Sequence, residues 1–225
     1  MDHSIEYRPA FALLTVSLDE GESIRSEAGA MVSYSDGIGI ETEARGGIFG
    51  SLKRSVLGGE SFFQNTFVAE QAGDVSLAPP LPGDIVHQRL EDETMYVQSG
   101  SYLASDVALE LDTSFGGAKT FFGSEGLFLL KLEGTGHSYL SSYGAIHEVE
   151  LEEGERHTVD TGHIVAFDGT TNFSVERVGG LKSTLFSGEG LVCTFTGPGT
   201  VWLQSRSMDS FLSWLIPKLP SSSPQ

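Results

Sequence analysis

Apolar residues alternate with polar ones in short stretches along almost the whole chain, and polar, glycine-rich segments separate these stretches. In the segment 191–196, Leu191, Cys193 and Phe195 fall on one face, while Val192 and two threonines fall on the other. Because side chains of a strand point alternately to opposite faces, this period of two predicts β-strands. The 28 glycines support the same conclusion, since many turns between short strands need them.

The landmarks of these stretches recur three times along the chain. In each copy an apolar stretch ends on a leucine, an acidic turn follows, and a glycine comes ten or eleven residues after the leucine: Leu18 and Gly29, Leu90 and Gly100, Leu151 and Gly162. Later in each copy a glycine precedes a leucine by four residues: Gly73 and Leu77, Gly136 and Leu140, Gly199 and Leu203. The spacing predicts three repeats, at about residues 7–78, 79–140 and 141–206, each with β-hairpins closed by polar turns.

The predicted architecture is a single all-β domain, residues 1–206, built as a pseudo-threefold repeat of short antiparallel strands. Each repeat would end in a hairpin with a glycine at its turn, because glycine supplies positive φ where a Cβ would clash. We expect structural turns at the following residues: Gly73, Gly136, Gly197, Pro198 and Gly199. Replacement of Gly199 by valine should therefore unfold or misfold the domain.

One helix is predicted, over residues 207–219. Ser207 or Asp209 would cap its N-terminus, and Pro217 would end it. We expect this helix to pack on the β body; the alternative is contact with a protein partner or a membrane surface. Residues 220–225 are expected to form a disordered tail. The helical face follows i, i+3, i+4, i+7 spacing at Met208, Phe211, Leu212 and Leu215.

Net charge narrows the possible partners. The chain has 31 acidic and 13 basic residues, which gives a formal net charge of −18 at pH 7. Such a surface repels a phosphate backbone, so nucleic acid is not an expected partner. The acidic residues are spread along the chain, as in cytoplasmic proteins of high-salt organisms. The alternative is an acidic patch for cations or for a basic partner.

The cysteine content and the N-terminal sequence predict a cytoplasmic protein. The single cysteine, Cys193, excludes an internal disulfide and fits a reducing compartment. It lies among apolar residues in a predicted strand, so we expect a buried, unreactive thiol. We expect no signal peptide or mitochondrial targeting segment, because the first residues lack a basic region followed by an apolar one.

No catalytic or cofactor-binding motif is evident. The glycine pairs lack the strand–turn–helix context of a phosphate-binding loop, and no Gly-x-Ser-x-Gly segment occurs. Metal binding is the remaining chemical alternative, in a cupin-like site formed by His137, His147, His157 and His163. Against it, the sequence contains no His-x-His pair, and a hairpin at Glu153-Gly154 would place His147 opposite Asp160 rather than His157. We therefore predict no metal site and no cofactor.

A set of short motifs, distributed along nearly the whole chain, resembles one known family. The motifs are Glu27-Ala-Gly-Ala-Met31, Gly58-Gly-Glu60, Pro82-Gly-Asp84, Gly100-Ser-Tyr-Leu-Ala104, Gly123-Ser-Glu-Gly126, Ser142-Tyr-Gly-Ala-Ile146, Val159-Asp-Thr-Gly-His-Ile-Val-Ala166 and Gly197-Pro-Gly-Thr-Val-Trp-Leu-Gln204. This set resembles the prokaryotic members of the family named for altered inheritance of mitochondria. The resemblance implies a β fold grouped with the tryptophan RNA-binding attenuation protein (TRAP), and no established enzymatic activity. We therefore expect a TRAP-like or β-helix-like body. RNA binding does not follow, because that grouping rests on fold alone and the net charge opposes it.

These features predict a non-catalytic cytoplasmic β domain that self-associates and serves as an assembly or binding scaffold. The prediction rests on the repeats, on the resemblance and on the lack of a catalytic motif. The alternative is a small-molecule or metal-binding cupin-like protein or enzyme, which a stoichiometric transition metal in the purified protein would favour.

Overall fold

A computed structural model of the protein describes residues 1–42, 56–57, 60–61, 64–112, 128–177 and 191–220. Strands dominate these residues, and the predicted all-β class is confirmed. Residues 221–225 of the predicted tail lie outside the described residues.

The strands are numbered in chain order: β1 Asp2–Glu6, β2 Leu13–Leu18, β3 Ser23–Glu27, β4 Met31–Tyr34, β5 Ile38–Thr42, β6 Val56–Leu57, β7 Glu60–Ser61, β8 Gln64–Ala69, β9 Gly73–Leu77, β10 Ile85–Gln98, β11 Tyr102–Asp106, β12 Glu110–Asp112, β13 Leu129–Ser141, β14 Ile146–Leu151, β15 Arg156–Asp160, β16 Ile164–Asp168, β17 Asn172–Arg177, β18 Leu191–Thr196 and β19 Gly199–Gln204. Helix α1 spans Met208–Leu215, and 3₁₀ turns span Ser99–Ser101, Thr161–His163 and Ile216–Lys218.

The strands of the described residues form three larger antiparallel sheets. A four-stranded sheet has the order β1-β2-β9-β4, and a three-stranded sheet has the order β15-β18-β17. The third sheet has ten strands. Nine of them follow the order β14-β19-β16-β10-β13-β11-β3-β8-β5, and β12 pairs with β13 beside them. The short strands β6 and β7 pair only with each other.

Three consecutive stretches of the chain use the same pairing order. In the first stretch β2 pairs with β9, β9 with β4, β3 with β8, and β8 with β5. In the third stretch β14 pairs with β19, β19 with β16, β15 with β18, and β18 with β17. In the middle stretch the long strands β10 and β13 each take the place of two strands, and β11 and β12 both pair with β13. This order is the one that three repeats require. The division into repeats, and the TRAP-like or β-helix-like description of the body, stay predictions.

The predicted hairpins are wrong, because the strands on the two sides of each predicted turn do not pair with each other. β2 and β3 lie in different sheets, and so do β18 and β19, although only two residues separate the latter pair. In the middle stretch the acidic segment is a bulge at Asp92, and β10 continues through it. His147 therefore lies opposite Leu203 rather than Asp160. Alternation and turn residues are the same in a hairpin and in a corner between two sheets, so the local pattern cannot distinguish them.

The predicted turn at the end of the third repeat is such a corner. Gly197 and Pro198 connect β18 to β19, and Gly199 begins β19 with a φ of +136°. A Cβ on Gly197 would lie 2.3 Å from the carbonyl oxygen of Glu152, so the corner admits no side chain there. Gly73 has the corresponding position at the start of β9.

Gly136 is not a turn residue. It lies inside β13 opposite Leu90, where a Cβ would come within 2.9 Å of Asp106 Oδ2. The structure thus explains this glycine by close packing against β11 rather than by chain reversal.

Buried apolar side chains form three groups. The first joins the four-stranded sheet to β3, β8 and β11 and includes the fully buried Phe67. The second lies along β10 and β13 and includes Trp202. The third joins β16 and β19 to the three-stranded sheet through Phe167 and Phe195. These groups pack the three sheets against one another, because each sheet must bury its apolar face on another element.

Helix α1 is confirmed, but it is shorter and more exposed than predicted. Ser207 caps it by accepting a hydrogen bond from the Ser210 N–H, and Pro217 lies in the 3₁₀ turn that follows. None of its residues is buried, so the expected packing on the β body is not found. An edge-on contact between Tyr143 and Phe211 joins the helix to the body. No helix in the described part of the chain is long and apolar enough to cross a membrane.

Candidate functional site

Three histidine side chains meet where β1 lies against β10 and β13: His3, His87 and His137. We call these residues the histidine cluster. His87 lies opposite Tyr139, and His137 lies opposite Arg89, so both histidines are on the same face of the β10–β13 pair. β1 belongs to the four-stranded sheet, and its alternation turns His3 toward this face. The cluster therefore joins two sheets.

The three imidazoles are in ring contact. The centroids of His3 and His87 are 4.3 Å apart, and those of His87 and His137 are 4.9 Å apart. His87 Nε2 lies 2.7 Å from His137 Nδ1, and one nitrogen of each ring lies within 4.8 Å of the other two. All three side chains are half-buried. The cluster thus presents three nitrogen donors that converge near the surface.

The surroundings of His3 and His87 disfavour positive charge on these two rings. The pKa of His87 is lowered to about 4. Burial is the largest cause, and the neighbouring His3, His137 and Arg89 act in the same direction. Burial and His137 also lower the pKa of His3, while Asp2 acts in the opposite direction. Near neutral pH both rings are therefore uncharged, and a neutral imidazole has one nitrogen without a proton.

Tyr139 and Asp106 extend the polar surroundings of the cluster. The Tyr139 ring contacts His3 and His87, and its buried hydroxyl has no hydrogen-bond partner among the described residues. Burial, and secondarily Asp106, raise the pKa of Tyr139. Asp106 Oδ2 accepts a hydrogen bond from the His137 backbone N–H at 2.8 Å, whereas the buried Oδ1 lacks a partner in the same part of the chain.

The four histidines considered in the sequence do not form a site together. Only His137 belongs to the histidine cluster. His147 is exposed on β14, and His157 lies on β15 opposite Phe195. His163 Nδ1 lies 2.7 Å from the Gln204 carbonyl oxygen, a contact that orients the ring structurally.

His3 was missed because it precedes the repeats, and His87 was missed because the other repeats have no histidine at its position. β1 precedes the first predicted repeat, so its alternation has no counterpart in the other copies. His87 has Thr15 and Glu148 at the corresponding positions of β2 and β14, four residues from the start of the acidic segment in each case. The strand pairing alone therefore does not require a histidine at this position.

A cleft of about 400 Å³ lies beside the β10 bulge and is a place where a small molecule could bind, as the alternative function would require. Its lining includes Arg89 and the carboxylates of Asp92, Glu93 and Asp168. Burial raises the pKa of Asp168, although the Thr200 N–H donates a hydrogen bond to it. The described lining contains no serine, cysteine or histidine, so it lacks a Ser–His or Cys–His pair for nucleophilic catalysis.

Cys193 is fully buried on β18, as expected from the sequence. Burial raises the pKa of its thiol to about 12, so the thiolate that would act as a nucleophile or metal ligand is not populated near neutral pH.

A second feature is the exposed strand β4, which differs from its counterparts. Each of its four residues is exposed, and Met31, Val32 and Tyr34 are 40%, 56% and 46% exposed. The strands at the corresponding places of the other stretches, β11 and β16, are buried at their first four positions. All three strands have a bulge after their first residue, so the contrast does not come from strand shape.

The difference in burial follows from pairing. β11 pairs with β13 and also with β3 of the preceding stretch. β16 pairs with β19 and also with β10 of the preceding stretch. Among the residues that the structure describes, β4 pairs only with β9. In the described part of the chain β15, the counterpart of β3, is an edge strand of the three-stranded sheet.

Comparison with known proteins covers the whole β body. The model of a family described as mitochondrial biogenesis AIM24 matches residues 3–206. An uncharacterized protein of Streptococcus pyogenes serotype M6 is 29% identical over 231 residues, which cover 99% of this chain and 93% of that protein. The X-ray crystal structure of a Streptococcus pyogenes protein has a TM-score of 0.80 at 28% identity and covers 97% of this chain and 99% of that chain. The family match includes the histidine cluster and β4 and ends before helix α1.

Proposed function

The chain belongs to the mitochondrial biogenesis AIM24 family, as a prokaryotic member, and we propose that it is a non-catalytic scaffold that self-associates head to tail. The observation that carries this proposal is the exposure of β4, whose two counterparts are buried by a strand of the preceding stretch. In the proposed assembly the missing strand comes from a second copy. That strand is β15, which is an edge strand of its sheet among the described residues.

The pairing of β11 with β3 and of β16 with β10 defines the register of this contact. Ala104 lies opposite Ser26, and Ala166 lies opposite Val97. Each alanine comes four residues after the landmark glycine of its own stretch, and each partner comes three residues before the landmark glycine of the preceding stretch. Applied to β4 and β15, the same register places Ser33 opposite Val159 and Tyr34 opposite Thr158 of the next copy. Such an interface joins two different surfaces, so it generates rings or filaments rather than a twofold dimer.

The charge distribution supports the same surface. Two copies that each have a formal net charge of −18 repel one another, so contact is least costly where charged side chains are few. β4 has the sequence Met-Val-Ser-Tyr, without a charge, whereas β1, β5 and β14 carry carboxylates at the edges of the two sheets they close. Charged side chains commonly protect edge strands from pairing, and β4 lacks them.

Replacement of Val32 by lysine is expected to abolish the association. The lysine would introduce a charge where the counterparts Leu103 and Val165 are fully buried, and burial of an unpaired charge is costly. Light scattering after size exclusion should show an oligomer for the wild type and a monomer for Val32→Lys. The matched control is Val107→Lys, since Val107 is 42% exposed but lies outside a strand. A wild-type monomer at micromolar concentration would contradict the proposal.

The register has a separate test. Cysteines at Tyr34 and Thr158 of one chain should form disulfides between copies, because directly opposite residues of antiparallel strands have suitable Cβ distances. The double variant should give a ladder of covalent multimers under oxidising conditions, and each single variant should not. Cys193 is buried and will not interfere.

The remaining parts of the proposal concern location and chemistry. We place the scaffold in the cytoplasm, which the single reduced cysteine supports, and we assign it no nucleic-acid partner because of its acidic surface. The alternative of a small-molecule enzyme is less well supported, since the described cleft lacks a Ser–His or Cys–His pair.

Helix α1 adds a contact surface for a protein partner or a membrane surface in this proposal. Trp214 is 57% and Ile216 is 60% exposed, and Lys218 lies 4.8 Å over the Trp214 ring. An exposed amphipathic segment with an aromatic ring and a cation suits a membrane interface. Liposome sedimentation should show binding that is lost when residues 207–225 are removed. If the truncated chain sediments with liposomes as the full chain does, the helix has no role in membrane binding. The alternative, contact with a protein partner, is then tested by comparing partner binding of the full and truncated chains.

A further inference from the structure

We propose that His3, His87 and His137 form a binding site for a divalent transition-metal ion of the zinc class. The proposal does not depend on self-association, because all three residues belong to one chain. Three imidazoles with one open position are a common ligand set for zinc, in which a water molecule or another ligand completes a tetrahedron.

The distances fit such an ion. Zinc–nitrogen bonds of about 2.0–2.1 Å in a tetrahedron place the ligand nitrogens about 3.4 Å from one another. In the cluster His87 Nε2 and His137 Nδ1 are 2.7 Å apart, and the largest separation among the three nitrogens is within 4.8 Å. The tetrahedral separation lies between these values. Small rotations of the side chains therefore bring the three nitrogens to one ion without movement of the strands.

The donor set selects the class of metal. Neutral imidazole nitrogens suit zinc, cobalt, nickel and copper, whereas magnesium and calcium require oxygen ligands. Among the described residues, the ligand atoms that converge here are three histidine nitrogens, with no carboxylate in the group. Cys193 is buried on another strand and contributes no thiolate. The cluster is therefore expected to prefer zinc or cobalt over magnesium and calcium.

The fold itself does not explain the three histidines. At the positions corresponding to His87 and His137, the first stretch has Thr15 and Asp74, and the third has Glu148 and Thr200. The same strand pairing forms in all three stretches with these different side chains. Three imidazoles are thus found only where β1 brings a third one, which is the arrangement that a metal ion requires.

One charged group opposes the ion. Arg89 Nη1 lies 3.5 Å from His137 Nε2, and the arginine also pairs with Glu91. Its side chain is 55% exposed, so it can turn toward solvent when a cation binds. Replacement of Arg89 by glutamine should therefore strengthen metal binding, since it removes a positive charge beside the site.

The test uses the full chain without a histidine tag, treated with a chelator and then dialysed. Zinc titration followed by elemental analysis should give one zinc per chain, and excess magnesium or calcium should not displace it. Cobalt in place of zinc should give the visible absorption of tetrahedral coordination. Zinc should also raise the thermal midpoint of unfolding, because the ion ties β1 to the long sheet and binds only the folded state.

Replacement of any ligand should weaken binding at least about tenfold. His3→Ala is the most informative variant, since it lies on an edge strand and leaves β10 and β13 unchanged. His87→Ala and His137→Ala are compared with it after circular dichroism confirms that each is folded. The matched control is His147→Ala, an exposed histidine on another edge strand, which should bind zinc as the wild type does.

Three results would overturn the proposal. The first is a wild-type protein that shows no saturable zinc binding. The second is unchanged affinity in folded His3→Ala and His87→Ala variants, which would place the bound zinc elsewhere. The third is equal loss of affinity in His147→Ala, which would indicate non-specific binding to surface histidines.

Discussion

Replacing Gly199 with valine is expected to destabilise the protein by about 3 kcal/mol or more, enough to unfold a marginally stable domain. Two costs combine at this position. The φ of +136° belongs to a region that residues with a Cβ rarely adopt. A Cβ would also lie 2.4 Å from Thr171 Oγ1 and 2.8 Å from Thr170 Oγ1, and valine adds two further methyl groups.

The corner around Gly199 has little freedom to adjust. Thr171 Oγ1 donates a hydrogen bond to the Pro198 carbonyl, and Asp168 Oδ2 accepts one from the Thr200 N–H at 2.7 Å. A valine would push the threonines outward and strain both contacts. The chain could then no longer pass from β18 to β19 while each strand keeps its partners.

Thermal or denaturant unfolding measures this effect. The matched control is Gly154→Val, because Gly154 has a φ of +77° but no atom within 4 Å of its Cβ position. That variant has the conformational cost without the steric one, so it should lose less stability than Gly199→Val. Wild-type stability of Gly199→Val would show that the corner tolerates a side chain, contrary to the structure.

Replacing Phe167 with alanine is expected to cost about 3–5 kcal/mol. Phe167 is 1% exposed, and its ring lies 5.0 Å from those of Phe173 and Phe195 and 5.2 Å from that of Tyr96. It belongs to β16 in the ten-stranded sheet, whereas Phe173 and Phe195 belong to the three-stranded sheet. The Phe167→Ala substitution therefore leaves a cavity between the ten-stranded and the three-stranded sheet.

Denaturant unfolding of three variants separates this packing from general hydrophobicity. Phe167→Leu keeps most of the volume and should cost less than Phe167→Ala. Phe11→Ala removes a ring that is 71% exposed and should change the free energy of unfolding by no more than about 0.5 kcal/mol. A loss below about 1 kcal/mol for Phe167→Ala would mean that the sheets do not depend on this contact.

The strands themselves could be predicted well, because their signal is local. Alternation in 191–196 places Cys193 and Phe195 on the buried face, and the structure confirms both as fully buried. The continuous apolar run of β13 predicts burial on both faces, and Leu129, Leu130 and Leu132 are indeed buried. Ser207 as the helix cap follows from the preference of its hydroxyl for the free N–H groups of a first turn.

The pairing of the strands could not be predicted in the same way. A two-residue connection such as Gly197-Pro198 suggests a hairpin, but β18 and β19 find their partners in different sheets. The partners of β19 lie 34 to 58 residues away along the chain, as the pairs of Val201 with Phe167 and of Gln204 with Ile146 illustrate. The same separation explains why Gly136 was assigned to a turn although it lies inside a strand.

The candidate site shows this limit most clearly. His137 was a metal candidate, but His147, His157 and His163 were grouped with it only because they are close in the sequence. The side chains that meet it, His3 and His87, are 134 and 50 residues away. Similarly, the apolar residues of β4 look like an ordinary buried strand until the structure shows that all four of its residues are exposed.

The sequence by itself determined which residues form strands, where the helix begins and that the protein is acidic and all-β, because alternation, capping and charge depend on neighbouring residues. Only the tertiary structure decided which strands pair, that three histidines from two sheets converge, and that β4 and β15 are edge strands within the described residues. Those properties depend on contacts between residues far apart in the chain, and the burial of apolar surface that selects them is a sum over the whole fold.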